Sequence, residues 1–169
     1  MASKLFIESL RSVYHGEQLG EAVFEVFVGH AADAEQRYVM GTLLQLETEG
    51  KARLRPALSR LGLALDTDVE SRRNGTAGAE SLLELSWTGK FEAMAASIRV
   101  RGLPQYEELG TLITEDEDPE LFSVARFMGA HERAILAASE NIATGEPDPL
   151  APVIELLSFP LTPPNRTRA

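Results

Sequence analysis

The sequence has no cysteine, and this absence excludes several kinds of site. Disulfide bonds, thiolate nucleophiles and zinc centres built on thiolates all require that residue. There is also no continuous apolar run of about eighteen residues, the length that a transmembrane helix needs. Charged residues interrupt the first segment, MASKLFIESLRSVYHGEQ, where a signal peptide would be continuously apolar. We therefore expect a soluble, cytoplasmic protein with no membrane partner.

Basic residues are few, which limits the partners of the chain. Lysine and arginine together number 16 against 26 aspartate and glutamate residues, and the net charge is -10. Affinity for nucleic acid depends largely on basic side chains that neutralise phosphates, so no nucleic-acid partner is expected. The remaining composition, 44% hydrophobic and 25% charged, is that of a folded globular domain. A length of 169 residues suits one domain, which we divide into a helical bundle, residues 1–145, and a dependent tail, residues 146–169.

Patterns typical of a sheet or of a glycine-rich phosphate loop are missing, and helical periodicity dominates instead. Four segments carry apolar residues at steps of three and four, which predicts an all-α bundle of amphipathic helices. The connection 63–78 is polar, contains the turn signal Asn74-Gly75 and is long enough to run along the whole bundle. Gly102 and Pro104 are expected to end the third helix. The predicted helices span residues 3–29, 33–62, 79–101 and 119–144.

The tail differs in composition from the rest of the chain. Six of the nine prolines lie in residues 146–169, so no long helix is expected there. The same segment contains a cluster of apolar residues between Val153 and Leu161, and such a cluster is costly to leave in water. We predict that the tail packs along the bundle or across a neighbouring subunit, and that the protein is a homo-oligomer, a dimer formed through the tail.

Three polar residues interrupt the apolar faces of the predicted helices at a similar depth. Glu17 lies about fourteen residues into the first helix, while Glu47 lies fourteen residues past the N-cap Asp33 and His131 thirteen past the N-cap Asp118. An antiparallel bundle brings such positions to one middle layer, where a buried charge is costly unless a cation or a partner compensates it. Each residue also has a simpler explanation.

The simpler explanations are local pairing and ordinary core packing. Glu17 would bond Tyr14 or a facing helix, and Glu47 would turn toward Lys51 four residues on. A histidine on an apolar face is more often a satisfied core residue than a metal ligand. The sequence alone leaves both interpretations open.

The pattern resembles the rubrerythrin-type di-iron branch of the ferritin-like superfamily. The residues that carry the resemblance are Glu17 in the first helix, Glu47-Thr-Glu-Gly50 in the second and Met128-Gly-Ala-His131 in the fourth. That family places a glutamate on the first and third helices and a Glu-x-x-His pair on the second and fourth. The resemblance implies a ferritin-like up-down four-helix bundle with a long crossover between helices 2 and 3.

The same comparison implies that the di-metal site is degenerate. Gly50 stands where the family has a histidine, Met128 where it has a glutamate, and Phe91 at the inward position of the third helix, with Glu92 beside it. The ligands that remain for a metal are Glu17, Glu47, Glu92 and His131, with Glu21 as an alternative to Glu92. We expect no resident cofactor, and iron or manganese as the ion if one binds.

Two functions follow from this interpretation, and a third from the tail. The first is a non-catalytic protein that binds an apolar ligand or a protein partner, its centre filled by Phe91, Met128 and their neighbours. The alternative is a metal-dependent oxidoreductase of di-iron type with an altered ligand set. A structural or partner-binding role would rest on the apolar tail.

Overall fold

A computed structural model describes residues 2–164 of the chain, and every regular element within that range is helical. The prediction of an all-α protein is confirmed. No helix within the described range combines the length and the apolar character required to cross a membrane. The elements are α1 (Lys4–Gly29), α2 (Ala34–Arg60), α3 (Val69–Glu80), α4 (Trp87–Ser97), a π-helical turn (Ile98–Gly102), α5 (Leu103–Leu109), α6 (Pro119–Thr144) and α7 (Ala151–Ile154).

The three longest helices begin and end close to the residues predicted from their capping signals. The carboxylate of Asp33 accepts a hydrogen bond from the backbone N–H of Gln36 at the start of α2, and Asp118 does the same for Leu121 in α6. Pro119 occupies the first turn of α6, where no N–H is needed. Gly145 ends α6 in the left-handed conformation, with a φ of 77° that favours glycine.

The core is divided into two apolar clusters. One cluster, which we call the upper cluster, contains Phe24 of α1, Leu43 of α2 and Ile135 of α6. The other, the lower cluster, contains Leu10 of α1, Leu54 of α2 and Met128 of α6. Helix α1 therefore runs from the lower to the upper cluster, whereas α2 runs in the opposite direction.

The segment from α4 to α5 runs parallel to α2. Phe91 of α4 belongs to the upper cluster and Leu109 of α5 to the lower one, so this segment runs in the same direction as α2. The connection between Arg60 and Trp87 must therefore return along the length of the bundle. The expected long crossover is present in the structure.

The crossover itself is not an irregular loop, and this corrects the prediction for residues 63–78. Its second half forms α3, capped by Asp68, whose side chain accepts a hydrogen bond from the N–H of Glu70. The turn expected at Asn74-Gly75 lies inside this helix. Gly75 is buried against α1, where a Cβ atom would overlap with the carbonyl oxygen of Leu19. Glycine here allows close approach of two helices, so the turn signal was wrong.

The third long helix also differs from its prediction over residues 79–101. It begins at Trp87, where Ser86 accepts a hydrogen bond from the N–H of Gly89, and it continues past both expected breakers. The chain passes Gly102 and Pro104 by widening into a π turn, in which the N–H of Leu103 bonds to the carbonyl of Ile98. Pro104 then occupies the first turn of α5, where its missing N–H costs little.

The tail lies along the bundle over its described part. Leu150 and Val153 are buried in the upper cluster. Beyond α7, the backbone N–H groups of Ser158 and Phe159 both donate to the carboxylate of Glu49, at 2.6 and 2.9 Å. Arg53, four residues further along α2, donates to the hydroxyl of Ser158 at 3.1 Å. The predicted tail residues 165–169 lie outside the described part of the chain.

Substitution of two glycines in α3 tests the close contact between α3 and α1. Gly78→Ala is expected to raise the free energy of unfolding by up to about 1 kcal/mol, because nothing lies near its Cβ position and alanine is the better helix former. Gly75→Ala is expected to lower it by about 1–3 kcal/mol, because its Cβ meets backbone atoms of Leu19. Urea unfolding of both variants measures the difference, and equal effects at the two positions would contradict the packing described here.

Candidate metal centre

One layer of buried polar side chains separates the two apolar clusters. Glu17 of α1, Glu47 of α2 and His131 of α6 lie in this layer, and at most 5% of each residue is exposed. One ligand atom from each of the three lies within 4.8 Å of the others. The structure thus brings together the three residues that the sequence placed at a common depth.

Several atoms of this group have no hydrogen-bond partner. The Nε2 atom of His131 lies 3.3 Å from Oε2 of Glu17 and 4.0 Å from Oε2 of Glu47. Within residues 2–164, neither ring nitrogen of His131 nor Oε2 of Glu17 makes a hydrogen bond of acceptable geometry. Buried polar atoms are nearly always paired, because an unpaired one costs about 1–3 kcal/mol. Two carboxylates and an imidazole with unused lone pairs are suitable ligands for a cation.

The other oxygen of Glu17 is held by a residue that sequence analysis did not identify. The hydroxyl of Tyr106 in α5 donates to Oε1 of Glu17 at 2.7 Å, and Tyr106 is itself buried. The ring of Tyr106 also stacks on the imidazole of His131, with centroids 6.2 Å apart and planes 11° apart. The partner proposed from sequence, Tyr14, does not fill this role.

Glu47 likewise does not use the partner predicted for it. Lys51 forms an ion pair with Glu21, whose carboxylate also accepts a hydrogen bond from Thr48 and lies 3.6 Å from Arg72. The charge of Glu21 is therefore compensated by two cations and is not part of the converging group. Among the side chains of residues 2–164, no lysine or arginine forms an ion pair with Glu47.

Two glycines provide the space that the carboxylates occupy. A Cβ atom on Gly50 of α2 would overlap with the carboxylate of Glu17, and one on Gly20 of α1 would overlap with that of Glu47. Each helix thus carries a glutamate followed three residues later by the glycine that receives the glutamate of the other helix. Position 50 was interpreted as a lost histidine ligand, and the structure shows that its lack of a side chain opens the site.

The environment disfavours charge on every member of the group. Burial raises the pKa of Glu17 well above its ordinary value, and the hydrogen bond from Tyr106 only partly opposes it. Burial and then the charge of Glu17 raise the pKa of Glu47. Burial also lowers the pKa of His131 to about 4, although the backbone carbonyl of Leu46, which approaches the ring without a hydrogen bond of acceptable geometry, acts in the opposite direction. Without a cation, the group is most stable uncharged.

Of the predicted ligands, Glu92 is the one that the structure does not bring to this layer. Its side chain is exposed on α4, while its neighbour Phe91 is fully buried, because consecutive helical residues point about 100° apart. A third acid is found instead at Glu132 of α6, 7% exposed, with Oε2 at 4.0 Å from Nδ1 of His131. Burial raises the pKa of Glu132 to about 7.

Sequence signals for the residues that were missed are of unequal strength. The Glu-x-x-Gly spacing at residues 17–20 and 47–50 is visible in both helices and would have predicted the paired glycines. Glu132 follows His131 directly, so helical spacing alone assigns it to another face. Tyr106 lies beyond the expected end of the third helix.

No family model matches this chain, and comparisons with curated proteins and with solved structures also give no match. The class that the described residues support is therefore the one set by geometry: an all-helical protein with a buried glutamate, glutamate and histidine group that is able to bind a metal ion.

The raised pKa of Glu132 predicts how the stability of the chelator-treated protein depends on pH. The carboxyl group of Glu132 holds its proton more tightly in the folded protein than in the unfolded chain, where its pKa is near 4.5. The stability that this group contributes is therefore complete below pH 4.5 and is lost as the pH rises to 7. Glu132→Gln keeps the shape but cannot ionise. We expect equal unfolding free energies at pH 4.5, and a variant more stable than wild type by on the order of 3 kcal/mol at pH 8.

The measurement is urea unfolding of both proteins across this pH range. Glu140→Gln, at a half-exposed position of the same helix where the acid pairs with Arg99 at the surface, provides the control and should follow the pH dependence of the wild type. His131 acts with the opposite sign between pH 4 and 6.5, but it is present in both proteins and cancels in their difference. A difference that does not change with pH would contradict the assignment.

Proposed function

We propose that this protein binds one divalent transition-metal ion, iron or manganese, between Glu17, Glu47 and His131. The observation that carries the proposal is the convergence of three ligand atoms within 4.8 Å, where both ring nitrogens of His131 and Oε2 of Glu17 lack a hydrogen-bond partner among the described residues. Carboxylate oxygen and imidazole nitrogen are ligands that these metals accept. A bound cation would also allow both glutamates to ionise despite their burial.

A single ion fits the donor set better than two. The resemblance to di-iron proteins calls for about six ligands on four helices. Met128 and Phe91, which occupy two of the corresponding positions, are both fully buried in the apolar clusters and offer no oxygen or nitrogen donor. Gly50 has no side chain. This supports a degenerate site that retains the capacity for one metal.

We infer that the fold is of ferritin-like type. The support is the direction of the long segments: α2 and the segment from α4 to α5 run the same way, joined by a connection that returns along the bundle. One such long crossover distinguishes ferritin-like folds from bundles with only short loops.

The enclosure of the site favours a non-catalytic role. All three ligands are at most 5% exposed, so a substrate would reach the ion only if the helices separated. In this proposal the ion stabilises the middle of the bundle. Contact with a protein partner would use the tail, where Phe159 is 74% exposed and Leu161 39% exposed.

Metal analysis of matched glutamine variants tests the proposal. Chelator-treated wild type, titrated with Mn²⁺ or with Fe²⁺ under anaerobic conditions, is expected to take up one ion per chain and to gain thermal stability. Glu47→Gln and His131→Gln are expected to lose most of this binding, because each replaces a strong ligand with a neutral amide and adds no volume. Glu92→Gln should bind as the wild type does, since Glu92 is exposed on α4. No uptake, or two tightly bound ions per chain, would disprove the proposal.

The alternative, a metal-dependent oxidoreductase, is favoured by one feature of the site. Three protein ligands leave coordination positions open, which is typical of catalytic metal sites. Iron bound there would supply redox chemistry, and Tyr106 would hold Glu17 in place through its hydrogen bond.

Oxygen consumption distinguishes these two functions. For an oxidoreductase, wild-type protein with Fe²⁺ would consume oxygen faster than the same concentration of free Fe²⁺, and Glu47→Ala would abolish both the excess rate and the metal uptake. For the closed site that we favour, wild-type protein is expected to slow the oxidation of Fe²⁺. An oxygen electrode and elemental analysis of the same samples measure the two quantities.

A further inference from the structure

The imidazole of His131 has acids on two sides. Its Nε2 atom faces Glu17 and Glu47, whereas the nearest charged partner of Nδ1 is Oε2 of Glu132, at 4.0 Å. Nδ1 has no hydrogen-bond partner within residues 2–164. Glu132 therefore lies on the side of the ring away from the proposed metal ligands.

The position of Glu132 depends on an irregular piece of backbone. Adjacent residues of a helix do not normally face the same neighbour. The carboxylate of Glu132 lies against Gly102, where a Cβ atom would overlap with Oε1. Gly102 is the last residue of the π turn Ile98–Gly102, and such turns occur frequently at functional sites. The segment facing α6 thus forms a backbone recess for this carboxylate.

We propose that Glu132 is a positioning residue for the metal site proposed above: it accepts a hydrogen bond from Nδ1–H of His131 and leaves Nε2 free to bind the ion. Gly102 is required because it admits the carboxylate. A neutral imidazole has one N–H, so the group that faces Nδ1 decides which nitrogen is free. A shift of about 1 Å closes the 4.0 Å gap to hydrogen-bond distance.

Two other roles for Glu132 agree less well with the geometry. It is not one of the three side chains whose ligand atoms converge within 4.8 Å, so it is not placed as a fourth ligand. It has no lysine or arginine partner among the described residues, so it is not part of a structural ion pair of that kind. The remaining polar contact is with His131.

Zinc titration of four variants tests the inference. Zn²⁺ is used because it is diamagnetic and accepts carboxylate and imidazole ligands. Glu132→Ala and Gly102→Ala are each expected to weaken binding by about 10–100-fold, the usual effect of losing such an outer partner. Glu132→Gln should lose less, because its amide oxygen still accepts a hydrogen bond. The double variant with both Glu132→Ala and Gly102→Ala should bind zinc no more weakly than Glu132→Ala alone, because the two changes remove the same interaction.

A second measurement is independent of affinity. In zinc-loaded wild type, ¹⁵N NMR of the His131 ring should show the proton on Nδ1 and the metal on Nε2, and exchange of that proton should be faster in Gly102→Ala. Glu92→Gln, the exposed control on α4, should match the wild type in both experiments. Circular dichroism verifies that each variant is folded. If Glu132→Ala does not fold, the comparison is made with Glu132→Gln.

The outcomes separate this inference from the metal site itself. If wild type binds no zinc, both proposals fail. If Glu47→Gln loses the ion while Glu132→Ala, Glu132→Gln and Gly102→Ala all keep wild-type affinity, only the role of Glu132 is wrong. Zinc bound through Nδ1 would also overturn it. Two ions in wild type and one in Glu132→Ala would make Glu132 a ligand of a second ion.

Discussion

The rest of the structure depends on the cost of removing ionisable groups from water in one layer. Glu17, Glu47, Glu132 and His131 all lie there, and burial drives each toward its uncharged form. Basic side chains relieve this cost only in part, because Lys51 and Arg72 pair with Glu21 at its edge and the charge of Lys51 lowers the pKa of Glu17 less than burial raises it. Without a cation, the polar layer opposes folding, and the burial of the two apolar clusters must compensate for its cost.

Glycine determines how the helices accommodate that layer. A glycine inside a helix costs about 1 kcal/mol relative to alanine, so its presence in α1 and α2 calls for a compensating gain. Gly20 and Gly50 each receive the carboxylate of the other helix, and Gly102 receives that of Glu132. The space for the buried carboxylates is therefore provided by residues that have no side chain.

The sequence predicted the parts of the fold that depend on local signals. Caps and periodicity located α1, α2 and α6, and the similar depth of Glu17, Glu47 and His131 located the layer. The errors occurred where tertiary contact overrides local preference. Gly75 has the signal of a turn but serves a close helix contact. Gly102 and Pro104 have the signal of a stop, but Gly102 ends the π turn and Pro104 lies in the first turn of α5.

The partners of the buried acids were not predictable for a related reason. Glu47 and Lys51 have suitable helical spacing, yet the lysine pairs with an acid of α1, and which neighbour prevails depends on how two helices pack. Tyr106 and Glu132 reach the layer only because the segment facing α6 is not a regular helix. Local spacing contains no information on that irregularity.

The π turn also sets the rotational phase of everything that follows it. A regular α-helix rotates by about 100° per residue, so a segment that holds one residue more than an α-helical turn changes the direction in which all later side chains point. If the same residues wound as a regular α-helix, α5 would be turned by about that angle. Tyr106 would then point away from Glu17. The helix would remain, but the polar layer would lose the side chain that donates a hydrogen bond to Glu17.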